Sequence, residues 1–450
     1  MWLRKSDLHH PKLVTIVALA MGVVTVAGAQ NAPPTPAPIS LSEAIRRAQS
    51  NEPIFAASVA TQKISTIDSY LAKAALLPSA TYHNQMLYTQ PNGQTNQGGQ
   101  GGTQAAPIFI ANNAVHEYVS QASIDETIGL KQFADAQVAS ANAARASAEL
   151  EISRRGLVFA VVNLYYQIAA TERKRSLLVE ALQEAASFTD LTQKREAARD
   201  VAHADVVKAQ LQQQLRQREL SDADVAVIKA RLELAVLLFP DPRTPYSTEP
   251  SGTAPTLPTR EEVNRLASAN SPEIRSALAE MQAGNAAVTS AKAAYLPDLA
   301  FNFSYGIDAP QFAKNGPDGT KNLGYSIGAT LDIPVWDWLS TQKRVKQSEI
   351  QREVDKVNLT ATQRRLIATL EEAYVEAAAL QNQLDLLEQS ARTAEESLRL
   401  TKLRYAAGES TALEVVDAQN SYLSTETSQT DGIARFQLAL AGLQLLTGTL

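Results

Sequence analysis

At 450 residues the chain is long enough for two or three ordinary domains, and a composition of 45% hydrophobic and 20% charged residues is that of a folding sequence, not a disordered one. The net charge of −6 offers no basic footprint for nucleic acid. With no cysteine, disulfides, thiolate metal sites, cysteine nucleophiles and a lipid-modified N-terminal cysteine are all excluded. The low aromatic content, 6%, beside abundant Ala, Gln, Glu, Leu and Arg points to long helices.

Residues 1–29 read as an export signal peptide. Arg4, Lys5 and Lys12 supply the positive region, Leu13 to Val26 the apolar stretch, and Ala27-Gly28-Ala29 an A-x-A cleavage site. The apolar run falls short of the roughly 20 residues a spanning helix needs; an uncleaved anchor is the other reading. No second apolar run is long enough to span as a helix, so any further membrane insertion must use β-strands.

The rest of the chain reads as one unit written twice, residues 30–239 and 259–450, joined by a Pro-, Ser- and Thr-rich connector at 240–258. Glu43, Arg46, Ala48, Asn51 and Pro53 match Glu262, Arg265, Ala267, Asn270 and Pro272 at an offset of 219. Leu77-Pro78 matches Leu296-Pro297 in the same register. Farther on the offset is 209, and Tyr165, Arg195 and Ala209-Gln210 meet Tyr374, Arg404 and Ala418-Gln419. A longer Gly/Gln-rich loop in the first half, Pro91 to Pro107, accounts for the change.

Each half opens with a helix, about Ser42 to Leu76 and Arg260 to Tyr295, ended by Pro78 or Pro297 because proline cannot continue the ladder. Strands follow. Leu299, Phe301, Phe303 and Tyr305 alternate with small polar residues, as do Leu323, Tyr325, Ile327, Ala329, Leu331 and Ile333. This is the apolar-out, polar-in period of a transmembrane barrel, with Trp336 and Trp338 just past the strand where interfacial aromatics are favoured. An ordinary half-buried antiparallel sheet has the same period. The first-half strands are weaker: Ala80, Tyr82, Met86 and Tyr88 share their face with Asn84, and His116-Glu117-Tyr118 is barely apolar on either side. Four strands cannot close a membrane barrel, which takes about eight. An open edge is not tolerated in lipid, so subunits must pool strands, about twelve from three copies.

Long helices come next, about Lys131 to Phe188 and Ser340 to Leu400. Each runs about 60 residues, roughly 90 Å at the α-helical rise. Leu380, Leu384, Leu387, Ala391, Ala394 and Leu398 carry the alternating spacing of four and three that makes a coiled-coil seam. Antiparallel partners are expected at Ala202–Leu238 and Thr411–Leu446.

The second long helix breaks at Arg404-Tyr405-Ala406-Ala407-Gly408-Glu409-Ser410, where Gly408 suits a helix C-cap and Ser410 can cap the next helix. Glu414-Val415-Val416-Asp417-Ala418-Gln419 follows. Here the chain resembles the TolC-like outer-membrane efflux family: an R-Y-x-x-G turn, then a helix opening with acids and D-A-Q. Other marks are A-x-Y-L-P at 293–297, I-P-V-W-D at 333–337 and the terminal Leu446-Thr447-Gly448. The resemblance covers essentially the whole chain after the signal segment.

The resemblance implies a mainly α fold with a β-barrel portion: a duplicated strand pair plus long antiparallel coiled-coil helices, assembled as a trimeric α/β barrel tunnel. It implies a homotrimer in outer-membrane lipid, extending into the periplasm of a Gram-negative cell. Its partners would be a periplasmic adaptor, or membrane fusion, protein and an inner-membrane pump, with no cofactor. By position Glu414 and Asp417 match the family's acidic constriction, and Tyr405 and Asp205 match residues that link neighbouring coils in the closed state. Arg404, Gly408, Ser410, Arg195 and Arg199 would form the adaptor-facing turns. Glu414 and Asp417 share a helix face; threefold symmetry would make them stacked carboxylate rings that favour cations, while acids near a helix N-terminus are also simply favourable. Tyr405 is equally readable as a packing aromatic. Two departures stand out. Ser410 occupies a position where the family archetype has arginine, which puts a closed-state salt bridge there in doubt. Arg199 replaces the expected glycine of the first-half turn, and either Arg195 or Arg199 is a candidate cationic partner for Asp205.

An enzyme is disfavoured. His83, His116 and His203 are scattered outside any metal spacing, and no phosphate loop, nucleophile elbow or dinucleotide fingerprint occurs. The competing reading is a structural coiled-coil or adhesin-like envelope protein. Within the channel reading, efflux and one-step secretion use the same conduit.

Overall fold

A computed structural model of the chain describes residues 38–88, 116–249, 256–309, 311–316, 319 and 321–449. The signal segment, the loop at 91–107 and residues 250–255 of the connector lie outside the described residues. The elements run β1 (Pro38–Ile39), α1 (Leu41–Asn51), α2 (Pro53–Ala74), β2 (Ser79–Tyr88), β3 (His116–Ile128), α3 (Leu130–Ala197), α4 (His203–Leu238), β4 (Ser247–Thr248), α5 (Arg260–Asn270), α6 (Pro272–Ala293), β5 (Asp298–Ala309), β6 (Leu323–Asp332), α7 (Ser340–Ala406) and α8 (Ala412–Thr447).

The opening helix of each half is two helices, not one. A residue before proline is driven out of the α region, and Glu52 and Ser271 are extended, at ψ 117° and 116°. Each then caps the helix that follows: Glu52 accepts from the Phe55 N–H at 2.6 Å and Ser271 from the Ile274 N–H at 3.2 Å. The helices stop at Ala74 and Ala293, in a turn that precedes Pro78 and Pro297. The repeated asparagines have a shared task at these breaks. Asn51 donates to the Leu238 carbonyl at 2.7 Å and Asn270 to the Thr447 carbonyl at 3.1 Å, tying α1 to the end of α4 and α5 to the end of α8.

The duplication is realised as two matching cores. Ala44, Ala48, Val161, Ile168 and Leu234 pack together in the first half. Their repeat partners Val263, Ala267, Leu370, Ala377 and Leu443 pack together in the second. The first core also carries the parallel β1–β4 pair, locked by the Tyr165 hydroxyl, which donates to the Ile39 and Glu249 carbonyls at 2.9 and 3.0 Å.

The long helices exceed the sequence expectation. α3 has 68 residues and α7 has 67, each roughly 100 Å. They pair with the 36-residue α4 and α8. On α7 the seam residues Leu380, Leu384, Leu387, Ala391, Ala394 and Leu398 are half-buried or buried, while most residues between them are exposed. Toward the strands the helices form a layer in the order α2-α3-α6-α7. That order repeats the sheet above it, which is antiparallel in the order β2-β3-β5-β6. The halves therefore meet side by side at β3–β5 and α3–α6.

The register puts the alternating residues on common faces. Leu299 pairs with Leu331, Phe301 with Ala329, Phe303 with Ile327, Tyr305 with Tyr325 and Ile307 with Leu323. β3 adds Ala122, Ile124 and Ile128 to this apolar face, and β2 adds Ala80, Tyr82 and Met86. Ser120, Asn84 and Glu126, which lies opposite Phe301, are polar residues on this face, and Asn84 is accommodated. The buried Ser120 hydroxyl donates to Asn84 Oδ1 and contacts the Tyr82 hydroxyl, both at 2.8 Å. The opposite face is polar and internally bonded, with Thr81 to Ser123, Ser304 to Ser326 and Asn302 to Asp125. Tyr325 and Ile327 are 72% and 74% exposed, so no described residue covers the apolar face there.

A side-chain carbon on Gly306 would lie 2.1 Å from the Ser120 carbonyl oxygen, whereas one on Gly328 meets nothing within 4 Å. Gly306→Ala is predicted to cost about 1–3 kcal/mol by forcing β3 and β5 apart, and Gly328→Ala to be near neutral. Thermal unfolding of the purified variants distinguishes the two positions.

Candidate functional site

The turns that join α3 to α4 and α7 to α8 are closed by the same hydrogen bonds. In the second, the Gly408 N–H donates to the Tyr405 carbonyl at 3.0 Å and the Glu409 N–H to the Arg404 carbonyl at 2.9 Å. In the first, the Arg199 N–H donates to the Glu196 carbonyl and the Asp200 N–H to the Arg195 carbonyl, both at 2.8 Å. This closure needs a left-handed residue just past the helix. Gly408 takes it at φ 81°, and Arg199 takes it at φ 63°. The first turn thus keeps its backbone without the glycine, at a strain of roughly 1–2 kcal/mol.

The next helices start differently. Thr411, not Ser410, is the N-cap of α8. Thr411 Oγ1 accepts from the Glu414 N–H at 3.3 Å, and the Glu414 carboxylate accepts from the Thr411 N–H at 3.3 Å, a reciprocal capping box. Ser410 Oγ reaches the Thr411 carbonyl at 3.5 Å and assists in holding the Glu414 carboxylate, but it does not cap the helix. α4 starts at Ala202, which has no side chain to cap with. Asp205 holds the place of Glu414 in the repeat and so has no such partner.

Between the turns lies a small core of Phe188, Ala209, Tyr405, Ala412 and Val415. Tyr405 is 2% exposed. Its ring centroid is 5.1 Å from that of Phe188, its hydroxyl is 3.3 Å from Thr192 Oγ1, and the Arg195 guanidinium stands 4.8 Å above its ring. Arg195 also donates to the Tyr405 carbonyl. Tyr405 therefore bolts α7 to α3 within one chain, and its hydroxyl meets Thr192, not Asp205. Arg195, expected among the adaptor-facing residues, is turned inward onto Tyr405 and half-buried. Neither Arg195 nor Arg199 pairs with Asp205 among the described residues. Arg199, Arg404 and Gly408 are exposed, and Ser410 is half-buried. Arg404 donates to the Glu409 carbonyl at 3.2 Å and lies 3.6 Å from Glu414.

Glu414 and Asp417 are exposed on one face of α8, while Val415 and Ala418 are buried. The Thr411 N–H, first, holds the Glu414 carboxyl below its ordinary range, assisted by the Thr411 hydroxyl and the Arg404 guanidinium. Sequence reading missed that the repeat partner of Asp417 is Lys208, also exposed. At the other end of α7, Trp338 and Leu339 take positive φ of 57° and 65°, and Trp336 packs edge-on against Trp338 at 5.8 Å. Ile333, Val335 and Leu339 beside them are exposed.

Residues 263–449 match the sequence profile of the outer membrane efflux protein family. Across 416 residues the chain is 24% identical to the pyoverdine export outer membrane protein OpmQ of Pseudomonas putida, covering 89% of this chain and 83% of that protein. Over its second half, then, the chain is similar to the outer membrane efflux proteins. A shorter match of 25% identity to the outer membrane protein OprJ of Pseudomonas aeruginosa covers 38% of this chain and spans 36% of the length of OprJ. The fold is that of the outer membrane protein VceC of Vibrio cholerae, at TM-score 0.76 and 19% identity, over 91% of this chain and 96% of that one. Both relatives, OpmQ and OprJ, are named as outer membrane proteins. The family and fold are those of passive channels, not known enzymes.

Arg199→Gly is predicted to stabilise the protein, and Gly408→Ala to destabilise it, each by about 1 kcal/mol; thermal midpoints of the two variants should move in opposite directions. Because Glu414 is held below its ordinary value of 4.5, its contribution to stability is present above that pH and lost as pH falls through the depressed value. The stability gap between wild type and Glu414→Gln should therefore close on acidification.

Proposed function

We propose that three copies of this chain form one conduit across the outer membrane and periplasm, through which solutes pass passively from a periplasmic adaptor and inner-membrane pump to the exterior. The observation that carries the reading is a two-faced sheet that β2 and β6 leave open on both sides. Three four-stranded sheets supply twelve strands, within the range that closes a barrel. The helix layer beneath repeats the argument. Its outer members expose apolar residues, Ile54, Ile64, Ile67 and Leu71 on α2 and Ile350, Val354, Val357 and Ile367 on α7. In the trimer the α2 face of one copy seats against the α7 face of the next.

In this assembly Leu299, Phe301, Phe303, Tyr305, Leu323, Tyr325, Ile327 and Leu331 face lipid. Trp336 and Trp338 sit at the headgroup level, where aromatic side chains are favoured. The turns carrying Arg199, Arg404, Gly408 and Ser410 meet the adaptor. Asp205, Glu414 and Asp417 ring the periplasmic entrance, offset in part by Lys208. Tyr405 and its Thr192 contact resist separation of the two coils, a role that does not need an arginine at position 410. Cargo is chosen by the pump and adaptor. A coiled-coil adhesin would have no need of the two-faced sheet.

In planar bilayers the protein should conduct with cation preference. Glu414→Ala with Asp417→Ala should relieve block by multivalent cations, and Lys208→Ala should raise cation preference. Anion selectivity, or block that the double variant leaves unchanged, would sink the carboxylate-ring assignment.

A further inference from the structure

Farther from the turns, α3, α7 and α8 border a cavity of about 670 Å³. This is the size range of pockets for drug-sized molecules. Its floor is apolar, formed by the buried side chains of Leu177, Leu398 and Leu423. Gln419 borders it from α8. That side chain is only 8% exposed, yet neither its amide nitrogen nor its amide oxygen has a hydrogen-bond partner. A buried, unpaired amide is rare in a native structure and calls for an explanation.

The charges around the cavity are unevenly matched. Each cation is already held by a carboxylate: Lys402 by Glu184, Arg399 by Glu396 and Arg216 by Glu219. Glu180 and Glu395 also line the cavity, and they make no ion pair among the described residues. Tyr422 lies with them, and its phenol is raised, first by burial and then by the negative charges of Glu426, Glu395 and Glu180. The cavity therefore combines an apolar floor, an aromatic ring, an amide with open valences and two carboxylates without counter-ions.

We propose that this cavity binds an amphipathic organic cation, with its apolar body on the leucine floor, its charged head toward Glu180 and Glu395, and a hydrogen-bonding substituent on Gln419. Two carboxylates without a cationic partner attract a cation, and the Tyr422 ring face adds to that preference. The site is built within one chain and does not rest on the trimeric conduit.

The test uses ethidium fluorescence with the purified full-length protein in detergent. Wild type should bind ethidium saturably, and Glu180→Gln with Glu395→Gln should weaken binding by about tenfold or more. Gln419→Leu should weaken it several-fold while leaving the thermal midpoint unchanged or raised, since it removes an unpaired amide. Glu414→Ala with Asp417→Ala should leave binding intact, which separates this cavity from the acidic entrance. The proposal is overturned if wild type shows no saturable binding, as when a partner protein's side chain fills the cavity instead. It is overturned equally if the glutamine double variant binds as well as wild type, or if the anionic dye fluorescein binds as tightly.

Discussion

Backbone hydrogen bonding at the two edges of one sheet constrains the rest of this molecule. β2 and β6 end a four-stranded sheet whose apolar face is left uncovered by the described residues. Lipid offers no donors or acceptors, so an edge strand in a bilayer must find another strand. The helices inherit the same constraint. They lie beneath the strands in the same order, and their outermost members α2 and α7 carry uncovered apolar residues. A single geometric requirement, closure against further copies, thus accounts for both layers.

The duplication supplies the frame, and divergence between the halves supplies its specific features. The two cores repeat residue for residue, as Val161 and Ile168 against Leu370 and Ala377 show. The turns do not. Tyr405 is buried against α3, while its repeat partner Glu196 is paired instead with His203 at 2.7 Å. The contact between the two coils of one chain is therefore aromatic and buried. Its repeat counterpart on the other side of the α3/α4 coil is polar and solvated. Asp417 and Lys208 diverge in the same way. A threefold ring of such chains alternates two kinds of boundary, which gives the entrance threefold character and not sixfold.

Features that depend on local pattern were legible in the sequence. The faces of β5 and β6 follow from a period of two, and the α7 seam from alternating spacings of four and three. The breaks before Pro53 and Pro272 had a local signal that the single-helix expectation passed over, since the residue before proline leaves the helical region. The same holds for the Thr411-x-x-Glu414 capping box: the expectation placed the cap at Ser410, and Thr411 outranks it because the box satisfies two N–H groups at once. Features that depend on distant partners were not legible. Asn84 is an anomaly on an apolar face until Ser120 is placed beside it by the β2–β3 register. Arg195 sits on a turn by sequence, and only the packing of Phe188 and Tyr405 shows that it folds inward. The left-handed backbone at Arg199 was hidden because no local signal marks an arginine for that conformation.

The central claim, that the open edges are closed by two further copies, is tested most directly by cross-linking across them. The chain has no cysteine, so introduced pairs report without interference. Cysteine at Thr81 on β2 is combined in turn with cysteine at Ser326, Gly328 or Thr330 on β6, in protein in native outer membranes. These strands are separated by β3 and β5 within a chain, so a disulfide can form only between copies. The account predicts that at least one pairing yields covalent dimers and trimers and nothing larger. Exclusively monomeric protein at every pairing, or a ladder that continues beyond three, would contradict it.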